Sequence, residues 1–150
     1  MPNIERLKKY NKIHMVGIGG VSMSGIAEIL VNFGFQVTGS NNVETETTKK
    51  LEKNGIKLSI GHNKENITDQ DVVVYSAAIK QDNPELVAAK EKNIPVIERA
   101  DFLGEITRCY KDTITVSGTH GKSTTTSMVS LCFLEALKDP SIQVGADIKD

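Results

Sequence analysis

A β-branched run, a glycine turn and a Lys-Ser pair at residues 113–123 have the residue types needed to bind phosphate. Backbone N–H groups of such a turn, and of the helix N-terminus that follows it, suit the terminal phosphates of a nucleoside triphosphate. Lys122 would neutralise charge, and the hydroxyl of Ser123 would hold a magnesium ion. The pattern departs from a general P-loop, because Val116 stands where glycine is usual and Gly118 makes the loop tighter. The alternative is a Gly/Ser/Thr-rich turn that only caps a helix.

A second glycine turn lies near the start of the chain, between a strand-like run and an amphipathic segment. Gly17 and Gly19 occupy the first two positions of a dinucleotide fingerprint, and Ser22 stands at the third. The pattern predicts a diphosphate resting on a helix N-terminus. An ordinary tight turn between a strand and a helix, with small residues for packing, is the alternative.

The residues after this turn indicate which diphosphate is expected. The next predicted strand, 36–40, ends at Asn41, where a nicotinamide-dependent enzyme usually has Asp or Glu to bind the ribose. An NADP site would need a nearby arginine, and none stands between Arg6 and Arg99. A diphosphate ligand other than a dinucleotide is therefore favoured.

The elements that would position these turns alternate between strand and helix. In the run 71–75, the residues after Asp71 are apolar without alternation, as in a strand covered on both faces. The pattern predicts an α/β fold with a Rossmann-like, doubly wound parallel sheet. Strands are expected near 13–18, 36–40, 57–60, 71–76, 95–97, 113–117 and 142–145, and helices near 22–33, 45–54, 84–92, 99–109 and 121–137.

The two glycine motifs, 17–27 and 118–126, together resemble the Mur ligase family, and runs at 61–63, 71–79, 82–85, 94–97 and 99–100 resemble it too. The resemblance implies an ATP-dependent ligase that joins L-alanine to UDP-N-acetylmuramate in peptidoglycan precursor synthesis. ATP would phosphorylate the lactyl carboxylate, and the amine of L-alanine would then attack. The family usually has glycine at Ser22, Asp at Asn41 and threonine at Ser123.

The resemblance also implies two sets of site residues. Several of them have a structural alternative: a solvent-facing histidine for His62, a turn residue for Asn83, a sheet-edge cap for Arg99 and a turn histidine for His120. His14 is expected to be structural. The catalytic residue is Lys122, with Ser123 as the Mg ligand. The ATP set is Gly118, Thr119, His120, Gly121, Lys122, Ser123 and Thr124, and the UDP-sugar set is Gly17, Gly19, Gly20, Ser22, Met23, Ser24, Ser40, Asn41, His62, Ser76, Ala77, Asn83 and Arg99.

The domain organisation follows from the number of predicted strands and helices that accompany each glycine motif. Residues 1–110 suffice for a Rossmann-like UDP-sugar-binding domain. Residues 111–150 supply only the first strand, phosphate loop and helix of a P-loop ATPase domain, so this second part is expected to be incomplete. The chain is therefore predicted to be the N-terminal part of a longer ligase, binding UDP-sugar without catalysing alone. The alternatives are a stand-alone regulatory nucleotide-binding module and an NAD-binding oxidoreductase domain.

Composition and charge limit the partners. The formal net charge of −1 gives no global field for nucleic acid, and no apolar run approaches the roughly 20 residues that span a bilayer. We expect neither nucleic acid nor a membrane as a partner. The two cysteines, Cys109 and Cys132, lack metal-like spacing and are predicted to be unpaired thiols of a cytoplasmic protein.

Overall fold

The computed structural model describes residues 2–144, in which strands and helices alternate. Two compact units are present, one reaching to Lys111 and the other beginning at Asp112. The strands are β1 (Lys12–Val16), β2 (Gln36–Asn41), β3 (Lys57–Ile60), β4 (Val72–Tyr75) and β5 (Val96–Glu98); the helices are α1 (Val21–Asn32), α2 (Glu46–Lys53), α3 (Pro84–Glu91), α4 (Arg99–Thr107) and α5 (Lys122–Glu135). Short 3-10 turns lie at Ile4–Arg6 and Lys64–Asn66.

The five strands form one parallel sheet in the order β3-β2-β1-β4-β5. This confirms the predicted α/β fold with a doubly wound parallel sheet. The strand order reverses between β1 and β4, so a crevice is expected outside the carboxyl ends of these two strands. The ten elements lie within about two residues of their predicted bounds, as assignments at fraying ends allow.

Local sequence explains where the helices begin and end. Thr45 and Thr48 form a reciprocal capping box at the start of α2. Asn83 accepts the backbone N–H of Glu85 with its side-chain oxygen, and Pro84 stands at the first position of α3. Gly34 follows α1 with a φ of 88°, a left-handed conformation that glycine adopts without strain and that stops the helix.

Two apolar layers pack against the sheet of the first unit, one on each face. One cluster packs α1, α2 and α4 against one face and includes Ile13, Met15, Val72 and Val74. The other packs α3 against Val73 and its neighbours on the opposite face. Because alternate residues of β4 enter different layers, this strand is apolar throughout, as its sequence predicts.

The connection from β3 to β4 contains only the 3-10 turn Lys64–Asn66 instead of a helix. Beside this connection the sheet face carries polar side chains, in a groove of about 410 Å³. The groove includes Lys12 and His14 of β1, and Lys12 forms an ion pair with Asp69. We call this surface the polar sheet groove; its other lining residues are Gln36, Thr38, Gly39, Lys57, Ser59, Glu65, Asn66, Thr68 and Gln70.

Two strand predictions in the second unit are wrong. Residues 113–117 and 142–144 form no strand, and Gly145 lies outside the described residues. A β-branched run can form its backbone hydrogen bonds as a strand only when it pairs with a neighbouring strand. The described part of this unit supplies one helix and no strand. Within the described residues, no helix has the length and apolar character needed to cross a bilayer. Both cysteines are free thiols, as predicted, Cys109 buried and Cys132 exposed.

Candidate functional site

The glycine turn after β1 is held by the end of β2. Gly17 has a φ of 76°, and the backbone N–H groups of Gly17 and Ile18 donate to the carbonyl of Ser40 at 2.9 and 3.0 Å. Gly20 then begins α1 as its N-cap, without a side-chain capping hydrogen bond and with no acidic residue in the first turn. The turn therefore delivers a helix N-terminus that carries partial positive charge to the carboxyl edge of the sheet.

Asn41 closes this turn from the side. Its Oδ1 accepts the backbone N–H of Gly19 at 3.3 Å, and its Nδ2 donates to the carbonyl of Val43 at 2.8 Å. A Cβ on Gly19 would lie 2.8 Å from that Nδ2, so residue 19 must be glycine while Asn41 keeps this position. The side-chain amide of Asn41 thus contacts the backbone of the turn, an interaction that the sequence did not predict.

Three predicted residues of α1 contribute differently. Met23 and Ser24 are buried, and the hydroxyl of Ser24 donates to the carbonyl of Val21, so the side chains of Met23 and Ser24 face the protein. Ser22 instead accepts a hydrogen bond of 3.1 Å from a guanidinium nitrogen of Arg99, the first residue of α4. The structure thereby places a cation beside the N-terminus of α1.

The end of β4 lies beside the glycine turn, as the strand order requires. A Cβ on Gly17 would be 3.9 Å from the hydroxyl of Ser76 and 3.3 Å from Ile79. Ala77 is exposed next to them. Asn83 lies further along this connection, where it caps α3. Ser76 and Ile79 therefore lie next to the glycine turn at the carboxyl end of β4.

A buried carboxylate that sequence reasoning missed lies beneath this edge. Glu85 has 0% exposure, and its Oε2 accepts the Ser40 hydroxyl at 2.6 Å and lies 3.0 Å from Nδ1 of His62. Its Oε1 accepts from Asn66 at 2.6 Å and lies 3.3 Å from Nε2 of His14. We call these five residues the Glu85 network. His14 is buried within it, in keeping with the structural role predicted for it.

Hydrogen bonding keeps this carboxylate ionised. Burial alone would raise the pKa of Glu85, but the hydrogen bonds that it accepts, led by that of His14, outweigh burial, and the net pKa is lowered. Glu85 also lies in the first turn of α3, where the helix dipole favours a negative charge. The only sequence signal was its place after Asn83-Pro84, which indicates a helix start and not a buried site.

The second predicted site is an exposed loop at the start of α5. Gly121 is the N-cap, with a φ of 74°, no side-chain capping bond and no atom within 4 Å of where a Cβ would be. Nζ of Lys122 folds back to the carbonyls of Gly118 and Thr119 at 2.6 and 3.3 Å. Ser123, Thr124 and His120 are exposed.

These residues fit a triphosphate. The helix N-terminus is uncapped by any side chain, no acidic residue stands in its first turn, and the Lys122 amine lies at the loop. For magnesium the loop provides exposed hydroxyls, among them that of Ser123, the predicted ligand. Of the five described α-helices, α1 and α5 are the two that begin at a glycine N-cap.

A family model described as "Mur ligase family, catalytic domain" matches residues 12–111. The chain is 54% identical over 140 residues to UDP-N-acetylmuramate--L-alanine ligase of Acetivibrio thermocellus, covering 93% of this chain and 30% of that protein. It is 52% identical over 147 residues to the enzyme of that name from Clostridium perfringens, covering 97% of this chain and 32% of that one. The chain thus spans about a third of the length of these relatives.

Solved structures agree with the sequence comparisons. The crystal structure of UDP-N-acetylmuramate-alanine ligase from Thermotoga maritima superposes with a TM-score of 0.86 at 38% identity, covering 91% of this chain and 32% of that chain. The Neisseria meningitides ligase titled UDP-N-acetylmuramate:L-alanyl-gamma-D-glutamyl-meso-diaminopimelate ligase gives a TM-score of 0.78 at 30% identity, with coverages of 84% and 40%.

Proposed function

Since the chain belongs to the Mur ligase family, we propose that it is the UDP-sugar-binding part of an ATP-dependent ligase joining L-alanine to UDP-N-acetylmuramate. The observation that carries the proposal is the contact of Arg99 with Ser22 at the glycine-capped N-terminus of α1. Two sources of positive charge, a guanidinium and a helix terminus, meet there at the carboxyl edge of a parallel sheet. A diphosphate is the chemical group that such a place binds best.

The UDP-sugar-binding residues divide by the way in which they act. Gly17, Gly19 and Gly20 bring the backbone close to the diphosphate, and Arg99 neutralises its charge. The buried Met23 and Ser24 act through their backbone, while Asn83 acts by starting α3. The edge around these groups is lined by Ser22, Asn41, His62, Ser76 and Ala77. The fully buried Ser40 acts through its carbonyl, which holds the glycine turn.

The second site, 118–124, is proposed to hold ATP with magnesium. Lys122 would neutralise the terminal phosphates, and the hydroxyl of Ser123 would be one ligand of the metal. ATP supplies the phosphoryl group that activates the carboxylate of the UDP-sugar. Binding energy from the distant UDP group would fix that carboxylate in place, which is how non-reacting parts of a substrate serve a reaction.

Calorimetry of the 150-residue chain tests the proposal directly. We expect binding of UDP-N-acetylmuramate, weaker binding of UDP, and no ADP release when ATP and L-alanine are added. Arg99→Ala should weaken UDP binding about ten- to a hundredfold, since a charge-assisted contact is worth on the order of 1.5–3 kcal/mol. Arg108→Ala, at an exposed arginine just after α4, is the matched control and should leave binding unchanged. No binding of either uridine ligand, or a preference for NADH, would contradict the proposal.

A further inference from the structure

Two members of the Glu85 network, Ser40 and His62, belong to the proposed UDP site, whereas the carboxylate of Glu85 that binds them both has no role in the proposed function. We propose that Glu85 is a positioning residue that holds His62 with its proton on Nδ1, leaving Nε2 as a hydrogen-bond acceptor for the nucleoside of the bound ligand. The ligand part of this inference rests on the proposed function. The effect of Glu85 on His62 does not, and it is measurable without any ligand.

The proton positions follow from three distances around one carboxylate oxygen. Ser40 Oγ and Glu85 Oε2 are 2.6 Å apart, His62 Nδ1 and Ser40 Oγ are 2.9 Å apart, and His62 Nδ1 and Glu85 Oε2 are 3.0 Å apart. A carboxylate has no proton to give, so the Ser40 hydroxyl must donate to Glu85. Nδ1 then faces two oxygen acceptors and must carry a proton to avoid repulsion. In the neutral ring Nε2 is therefore bare.

This geometry is not that of a hydrolytic triad. In such a triad the serine and the carboxylate bind opposite nitrogens of the histidine, so that a proton passes between them. Ser40 and Glu85 both lie at Nδ1 of His62, and the Ser40 hydroxyl is fully buried. The cluster therefore orients the imidazole and does not activate a nucleophile.

The other carboxylate oxygen holds the loop that carries His62. Asn66 donates to Oε1 of Glu85 at 2.6 Å and to the carbonyl of Gly61 at 3.2 Å. Gly61 has a φ of 90° and precedes His62, so the turn after β3 is tied to the same carboxylate as the ring. His14 contacts Oε1 from β1. The carboxylate of Glu85 thus has four hydrogen-bonding partners, as a buried carboxylate requires.

The position of His62 determines what its free nitrogen can do. His62 follows β3 at the carboxyl edge, its side chain is 11% exposed, and the described residues offer Nε2 no partner. The ring is tied to Ser40, whose carbonyl holds the glycine turn. A bare nitrogen accepts from N–H or O–H and repels phosphate oxygens. The ligand group that it would recognise is a donor of the nucleoside, either the uracil N3–H or a ribose hydroxyl.

Nitrogen-15 NMR of the imidazoles tests, without ligand, whether Glu85 holds the proton of His62 on Nδ1. The chain has three histidines, so His62 is assigned by comparison with a His62→Phe variant. We expect the neutral His62 ring to be protonated on Nδ1 in the wild type, and this preference to be lost in Glu85→Gln. Glu91→Gln, at the exposed end of the same helix, is the control and should leave the ring unchanged. Protonation on Nε2 in the wild type, or an unchanged tautomer in Glu85→Gln, overturns the inference. The wild-type result is decisive even where Glu85→Gln does not fold.

Calorimetry with UDP, 2′-deoxy-UDP and N3-methyl-UDP tests whether Nε2 of His62 accepts a hydrogen bond from the nucleoside. Wild type should bind one of the two modified nucleotides about tenfold more weakly than UDP, which identifies the donor. The His62→Phe variant should lose that discrimination, and the Glu85→Gln/His62→Phe double variant should bind UDP no worse than His62→Phe alone. Additive losses, or equal discrimination by His62→Phe, overturn the ligand contact. A wild-type chain that binds no uridine nucleotide instead removes the proposed function, whatever tautomer His62 shows.

Discussion

The hydroxyl of Ser40 donates to the carboxylate of Glu85 at 2.6 Å, and both residues have 0% exposure. The two lie 45 positions apart, one in β2 and the other in the first turn of α3. Because the carbonyl of Ser40 also accepts from Gly17 and Ile18, this residue connects a buried charge to the backbone of the glycine turn. A change at Glu85 should therefore affect the turn without touching it.

The first prediction concerns stability in acid. The pKa of Glu85 is lower in the folded chain than in the unfolded chain, so the ionised carboxylate favours folding. This contribution is complete above the unfolded value of about 4.3 and is lost as the pH falls through the folded value. Urea unfolding at pH 7 and pH 3 should show a loss of unfolding free energy in acid that Glu85→Gln reduces. At pH 7 the variant should itself be less stable by about 1–3 kcal/mol, because buried donors lose their acceptor.

Two comparisons make this measurement specific. Glu91→Gln should reproduce the wild-type pH dependence, because Glu91 is exposed. Some acid sensitivity should remain in Glu85→Gln, since the backbone N–H groups of Lys12 and Asn11 also lower the pKa of Asp71. An identical pH dependence in wild type and Glu85→Gln would contradict the prediction.

The second prediction concerns the glycine turn. Gly19→Ala places a Cβ within 2.8 Å of Asn41 Nδ2 and 2.9 Å of its Cγ, so the amide must move and its hydrogen bond to the turn breaks. We expect UDP affinity to fall at least about tenfold, or about 1.4 kcal/mol. Calorimetry with UDP measures this loss.

Gly104→Ala is the matched control for that substitution. Gly104 lies within α4, and no atom is within 4 Å of its added Cβ. Alanine there should stabilise the chain by up to about 1 kcal/mol through helix propensity and leave UDP binding unchanged. Adding Asn41→Ala to Gly19→Ala should relieve the clash and restore part of the affinity. A double variant no better than Gly19→Ala would show that the glycine is needed for another reason.

The third prediction separates the two proposed sites. Replacing the matching third of the Acetivibrio thermocellus ligase with this chain should give a full-length enzyme whose turnover can be measured, because the two sequences are 54% identical over 140 residues. Lys122→Ala in that chimera should abolish ADP release, because the terminal phosphates lose their cation. UDP-sugar binding should be spared, since every residue proposed for it lies before Lys111.

Lys138→Ala is the control, at an exposed lysine just after the same helix. It should leave turnover at the level of the unmodified chimera. Loss of UDP-sugar binding in Lys122→Ala would mean that the two sites are not separate. Unchanged turnover would exclude the proposed role of Lys122, whose amine contacts loop carbonyls in this structure.

The first unit could be predicted from sequence because its signals are local. Val72–Tyr75 is apolar on both faces, and Asn83-Pro84 is a typical helix start, so strand and helix follow with little help from the rest of the chain. The run 113–117, rich in β-branched residues, has an equally strong propensity for strand, and the strand predicted there was wrong. Strand formation depends on a neighbouring strand, which propensity does not report.

The Glu85 network could not be predicted from the sequence for a related reason. Its members come from β1, β2, the turn after β3 and α3, and only the folded sheet brings them together. In the sequence, Glu85 is an ordinary acidic residue in the first turn of a helix, where solvent exposure is the common outcome. His62 and Ser40 were predicted as ligand contacts, and their mutual hydrogen bond was not.

The polar sheet groove has a consequence for how the chain tolerates change. Lysine, glutamine, threonine and serine side chains line it, so this face does not need the covering helix that buries other parallel sheets. Apolar burial is concentrated on the side of α1, α2 and α4, and there each truncation of a large side chain leaves a void. Random substitution should therefore accumulate unevenly in functional variants, with exposed polar residues such as Gln36 and Lys57 exchanged freely on this face and aliphatic residues nearly fixed on the other.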